Sequence, residues 1–234
     1  MKPITVVFFV ASLMLCGFKN INNEPAIPEN ILHMTEVYPE TKVLIDYYKE
    51  ACKDKGYYTR EIDITSDLLT DDVPLFLQWD KRWAFLNYGK ETIIATSACG
   101  PVCLSMVQCY FYKDKPKTPK DMAGFSYKKG FYTEKVGTSG ALFLDGAYDF
   151  NLKPKVIPVN NQEIKKSLDG DKIIVALVKE GHFTVGGHYI IIKGYNENGD
   201  YLVNDPNSLI NSNKAWPPEV IINESKALWA IGVN

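Results

Sequence analysis

The chain has 234 residues, of which 46% are hydrophobic and 23% charged, and its formal net charge is −2. That composition excludes global disorder and is enough to bury one core. Lys and Asp/Glu are dispersed, so neither a basic nucleic-acid face nor an acidic tail is written into the chain.

The first element is an uncharged apolar run from Ile4 to Phe18, preceded by Lys2 and followed by Lys19. At ~15 residues it is too short for a spanning helix and fits a secretory signal or an amino-terminal anchor over residues 1–19. Export to the cell surface or beyond is therefore expected. The small-x-small cleavage pattern is missing, so cleavage and retention both stay open. Cys16 would suit lipid attachment, but Leu15 stands where that signal normally has a small residue.

Residues 20–35 mix Asn, Pro and Glu and read as a linker that includes His33. "PETKVLIDYYKEACKDKG" then predicts a helix, with Val43, Leu44, Tyr47, Tyr48, Ala51 and Cys52 at helical spacing and Gly56 as a stop. Residues 20–72 are read as an amino-terminal extension and a candidate pro-segment. Residues 73–234 are read as the main domain, opening with the aromatic-rich "VPLFLQWDKRWAFLNYG".

"TSACGPVCLSMV" follows. Pro101 suits a first helical turn, where its missing N–H costs nothing, and Val102, Cys103, Met106, Val107 and Tyr110 form an apolar stripe. Thr118 with Pro119 starts another helix, and one continuous helix is expected from near Ser139 through "GALFLDGAYDFN". "KPKVIPV" looks extended. Asn160 with Glu163 three residues later marks a further helix start.

The chain then turns to strands: "KIIVALV" (172–178), "HYIIIKGY" (188–195) and "DYLVNDPNS" (200–208), the last two joined by a two-residue "NG" turn. "WPPEV" reads as a turn into edge structure and "ALWAIGV" as a last buried element. Helices first and an antiparallel sheet afterwards make an α+β chain.

Cys99 stands at a helix amino terminus, whose unsatisfied N–H groups favour a thiolate. An imidazole within reach would favour it further. Of the three histidines, His33 is a linker residue and His182 lies inside a loop. His188 begins a strand after Gly186-Gly187, which makes it the preferred base. Asp205 is the candidate orienter of that base. A two-residue "NG" turn places Ile192 opposite Asp205, leaving His188 and Asp205 on one face but ~13 Å apart along the strand. A bulge or a shifted register would be needed, and Asn207, opposite Ile190, is the alternative orienter. Cys103 and Cys109 read as packing, as do Trp79 and Trp83. Asp80 is placed to cap or to pair with Arg82.

Taken together, "LQWDKRW…NYG…TSACGPVCLSMV", "GGHYIIIKGYN" and "YLVNDPNS" resemble the bacterial C39-like cysteine peptidases of the papain-like superfamily, over roughly residues 73–234. Ala98 departs from the glycine that often precedes the family's cysteine. The resemblance implies a papain-like α+β fold and hydrolysis of peptide bonds, with Cys99 as nucleophile, His188 as base and Asp205 as orienter. It also implies that Gln78 donates its side-chain amide to the oxyanion beside the Cys99 N–H.

No metal or organic cofactor is called for; the expected partner is a peptide or protein substrate, including cell-wall peptide. No nucleic acid is expected, and membrane contact only through an amino-terminal anchor. The competing readings are a peptidoglycan cross-bridge amidase or acyltransferase using the same site, and an inactive surface-binding module.

Overall fold

The computed structural model describes residues 24–233. The expected signal or anchor over residues 1–19, with Cys16, lies outside the described residues. Helix α1 (Glu29–Val37) leads through a 3-10 turn at Pro39–Val43 into α2 (Leu44–Lys53). The short α3 (Ile94–Ser97) precedes α4 (Cys99–Phe111) and α5 (Pro119–Lys128). A small hairpin, β1 (Tyr132–Thr133) and β2 (Gly137–Thr138), is followed by α6 (Ala141–Leu144), β3 (Lys153–Ile157) and α7 (Asn161–Leu168). The carboxy-terminal part contains β4 (Ile173–Val178), β5 (His188–Tyr195), β6 (Tyr201–Asn204), α8 (Leu209–Ser212), β7 (Ala215–Trp216), α9 (Pro218–Glu224) and β8 (Ser225–Gly232).

Six strands form an antiparallel sheet in the order β3-β8-β4-β5-β6-β7. The uninterrupted apolar runs have a direct cause: both faces of the sheet are covered. Val175, Tyr189, Ile191, Trp229 and Ile231 face α4 and share a core with Val102, Leu104, Met106 and Val107. The alternate residues Ile174, Ala176, Ile190, Ile192, Leu228 and Ala230 face Ile164 of α7 and Ile221 of α9. Helix α4 is buried continuously from Gly100 to Cys109, beyond the expected apolar stripe, and its two buried polar side chains are satisfied: Ser105 Oγ donates to the Lys117 carbonyl at 2.5 Å and Gln108 Nε2 to the Lys115 carbonyl at 2.9 Å. The amino-terminal helices join the first of these cores: Ile31, Leu44 and Tyr48 are fully buried in the same cluster as Trp83, Phe85 and Ile93.

The helix caps follow the local sequence. Thr118 and Asp121 form a reciprocal capping box on α5, and the Asn160 side chain accepts from the Glu163 N–H at 2.9 Å. Three expectations are corrected. The helix from Ser139 is broken into α6 and a 3-10 turn at Gly146–Phe150; Gly146 lies where a Cβ would come within 3.0 Å of the Phe131 ring. "WPPEV" becomes β7 and then α9, because Pro218 sits inside the first turn, where proline starts a helix.

The third correction concerns the strand register. Tyr195 pairs with Tyr201, so the connection spans residues 196–200, and an irregularity between Ile192 and Gly194 adds a further shift. Asn196 enforces the longer turn: its Oδ1 accepts from the Asn198 and Asp200 N–H groups, and Gly199 takes a φ of 85°. Ile192 therefore faces Val203 rather than Asp205. Asp205 is brought two residues closer to His188.

Candidate active site

Cys99 is the first residue of α4, and Ala98 ahead of it supplies no side-chain cap, so the helix's first N–H groups remain available. Gly100 allows that helix end to press against β2: a Cβ there would lie 2.8 Å from the Thr138 methyl. His188 is the first residue of β5, paired across the ladder with Val178. With the shifted register, ~7 Å of strand separates the His188 and Asp205 levels, which two side chains can bridge. They do so: His188 Nε2 meets Asp205 Oδ1 at 2.7 Å, and the two residues are 2% and 0% exposed. Nδ1, the other ring nitrogen, is not engaged by Asp205, and His188 and Cys99 act on each other's titration.

Electrostatics favour an ion pair. Burial alone would push the Cys99 thiol up, but the His188 hydrogen bond and charge, with the Tyr189 and Gly100 N–H groups, hold it below the ordinary thiol value. Burial alone would discharge His188. The Asp205 carboxylate, its hydrogen bond and the Cys99 sulfur outweigh that and hold the imidazolium well above the ordinary histidine value. Cys99 nevertheless stays part-exposed.

Asp205 is itself firmly held. Its Oδ1 also accepts from the Asn207 N–H at 2.9 Å, and Oδ2 accepts from Asn211 Nδ2 at 2.8 Å. Its own N–H donates to Ser212 Oγ at 2.9 Å. Asn207, the alternative orienter, thus supports Asp205 through its backbone, and its side-chain oxygen makes no hydrogen bond to the imidazole. Beyond this turn, Glu40 of the extension accepts from Ser208 Oγ and from the Leu209 and Ile210 N–H groups, the latter two at 2.8 and 3.3 Å. Neither Glu40 nor Asn211 carried a signal in the sequence.

Gln78 reaches the same place from far upstream. Its N–H donates to the Pro206 carbonyl at 2.7 Å, and its Nε2 donates to the Ala95 carbonyl at 2.5 Å. One amide hydrogen is fixed by Ala95, and Gln78 lines a cavity with Cys99 and His188. Trp79 Nε1 donates to the Asn207 carbonyl at 3.0 Å, so the "QW" pair closes over the Asp-Pro-Asn turn. Trp83 is fully buried, and Arg82 bridges Asp67 and Asp80.

The remaining candidates sort cleanly. Cys103 is buried, its thiol pushed well up by burial, and its Sγ donates to the Tyr189 carbonyl at 3.4 Å. It is a staple between α4 and β5. Burial pushes the Cys109 thiol up to about 11. His182 is exposed and pairs with Glu224, away from Cys99. His33 lies on α1 rather than in a linker, and it lines the cavity beside Cys99.

A model of the Peptidase_C39 like family matches residues 70–231, more than half of the chain. The chain belongs to the C39-like peptidase family. No curated protein matches it. Among solved structures, it is similar to the peptidase domain of Streptococcus ComA, a bi-functional ABC transporter involved in a quorum sensing pathway. That pair shares 21% identity at a TM-score of 0.44, covering 58% of this chain and 90% of that one. A Bacillus anthracis protein described as a C39-like peptidase is similar at 12% identity and a TM-score of 0.44, covering 69% of this chain and 95% of that one. Membership supports a cysteine peptidase-type function for this C39-like chain.

Proposed function

We propose that this C39-like protein is an exported cysteine peptidase that hydrolyses peptide bonds through Cys99, His188 and Asp205. The observation that carries the proposal is the buried His188 Nε2–Asp205 Oδ1 contact at 2.7 Å, with His188 and Cys99 lining one cavity and His188 lowering the thiol's pKa. The Cys99 thiolate attacks the scissile carbonyl carbon, and the C–S bond forms as the carbonyl π electrons move onto oxygen. The Gln78 amide and the Cys99 N–H receive that oxyanion. Collapse breaks the C–N bond while the His188 imidazolium gives its proton to the leaving amine. Neutral His188 then takes a proton from water, which attacks the thioester and releases the acid and Cys99. Export is supported by the apolar run over residues 4–18.

The test is iodoacetamide alkylation against pH, with the modified residue identified by mass spectrometry, followed by peptide hydrolysis with mass analysis of products. Cys99 is expected to react well below pH ~8.5. His188→Ala should abolish that reactivity and Cys99→Ala should abolish hydrolysis. Labelling of Cys99 at the rate of an ordinary thiol would end the proposal.

A further inference from the structure

Two cavities adjoin on one side of the candidate nucleophile. The first, of about 310 Å³, is lined by Cys99 and His188 together with Val37, Tyr38, Thr184 and Val185. The second, of about 330 Å³, shares those last four residues and continues to Ile210. The shared residues make the two cavities neighbouring parts of one groove, which leads away from Cys99 between the end of α1 and the loop ahead of β5.

The far part of this groove presents carbon to solvent. Of its four exposed side chains, Pro39, Val185 and Ile210 are apolar, the last two 67% and 63% exposed, and His182 is paired with Glu224. The polar groups around them are already bonded within the protein. Tyr38 Oη donates to the Phe183 carbonyl at 3.2 Å, Thr184 Oγ1 accepts from the Gly186 N–H at 3.1 Å, and Glu40 accepts from Ser208 Oγ and the Leu209 N–H. Exposed apolar side chains gathered in a concave surface mark a binding groove.

The direction of the groove identifies its occupant. The lobe on the other side of Cys99 is lined by Gly187 and Tyr189 but not by His188. The segment that takes a proton from His188 lies on the His188 side. Resting on the peptidase reading above, we infer that the groove receives the peptide segment that leaves as the amine, and that Val185 and Ile210 select apolar side chains in it. One wall of the groove, Val37 to Glu40, precedes the 70–231 span of the family match, so the extension contributes to this selectivity.

The experiment compares rates of Cys99 modification in the full chain by N-iodoacetyl-Leu-Leu amide and N-iodoacetyl-Gly-Gly amide at pH ~8.5, where a free thiol ionises. In both, sulfur bonds to the CH₂ carbon and displaces iodide, so the ratio of the two rates cancels thiol reactivity and reports contacts made by the leucine side chains. The Leu-Leu reagent should react faster. Its advantage should fall about four-fold in Val185→Ser and about four-fold in Ile210→Ser, the order of one CH₂ withdrawn from water. Both positions are exposed, so neither variant endangers the fold. Val185→Ile, which keeps the apolar surface, should leave the ratio unchanged, and so should Val136→Ser in the opposite lobe. Equal rates for the two reagents, a ratio unchanged in either Val185→Ser or Ile210→Ser, or an equal fall in Val136→Ser would overturn the inference. Failure of the peptidase reading would appear separately, as an iodoacetamide rate at low pH that His188→Ala leaves untouched.

Discussion

Asp205→Asn separates charge from geometry at the candidate site. The amide oxygen can take the place of Oδ1, still accepting from His188 Nε2 and the Asn207 N–H, while the amide nitrogen replaces Oδ2. Asn211 restores its own bond by turning its amide over, so the turn should keep its shape. The lost quantity is the negative charge 2.7 Å from a ring nitrogen, in a pair exposed by 2% and 0%. Burial, the largest influence on His188, then acts against the imidazolium with only Cys99 left to oppose it. A hydrogen bond to a charged group contributes ~1.5–3 kcal/mol. At ~1.4 kcal/mol per factor of ten, the thiolate–imidazolium form becomes roughly 10- to 150-fold scarcer. Iodoacetamide alkylation of Cys99 at pH 6 should slow by that factor and recover as pH approaches ~8.5, where an ordinary thiol ionises unaided. An unchanged rate at pH 6 would refute the reasoning, and so would an equal loss at both pH values.

Gln78→Ala should lower kcat for peptide hydrolysis ~10²–10³-fold while leaving Cys99 alkylation within about three-fold, because alkylation develops no oxyanion; parallel losses in both assays would remove Gln78 from that role. The pH profile of kcat/KM should rise on the acid side as Cys99 ionises below its ordinary value, and fall on the alkaline side as His188 loses a proton held above its ordinary value. Glu40→Ala strips the acceptor from Ser208 and from the Leu209 and Ile210 N–H groups, and should cost ~1–2 kcal/mol in a urea titration. Cys103→Ala should leave hydrolysis within about three-fold and lower stability by ~1 kcal/mol, since its thiol is buried against the Tyr189 carbonyl.

What was legible in the sequence was the part written in short range. The Cys99-Gly100-Pro101 helix start, the Thr118 and Asn160 caps and the doubly covered strands each depend on a few neighbouring residues, and each stands where local chemistry put it. The His188–Asp205 contact was half legible. Parity placed both on one face, but the two-residue turn put them too far apart. The missing distance came from an Asn196 side chain that closes a longer turn and from a one-residue irregularity before Gly194. The first rests on side-chain hydrogen bonds and the second is a break in the strand's alternation, and a pattern of alternating apolar residues encodes neither.

The extension was the least legible part, because its importance rests on contacts across most of the chain. Glu40 meets Ser208 and Leu209, Tyr38 meets Phe183, and Asn30 and His33 line the cavity with Gln78 and His188. Read locally, a mixed Asn, Pro and Glu stretch is a linker, and only the buried Ile31, Leu44 and Tyr48 show what holds it in place. A segment anchored by three fully buried apolar side chains is costly to detach, at ~1.5–3 kcal/mol for each of Ile31 and Leu44. Its cavity-lining residues therefore keep fixed positions beside Cys99. Ile31, one of the anchors, directly follows Asn30 on α1, while Leu44 and Tyr48 anchor the adjoining α2, so the cavity-lining turn of α1 is held by its own buried neighbour and by the next helix.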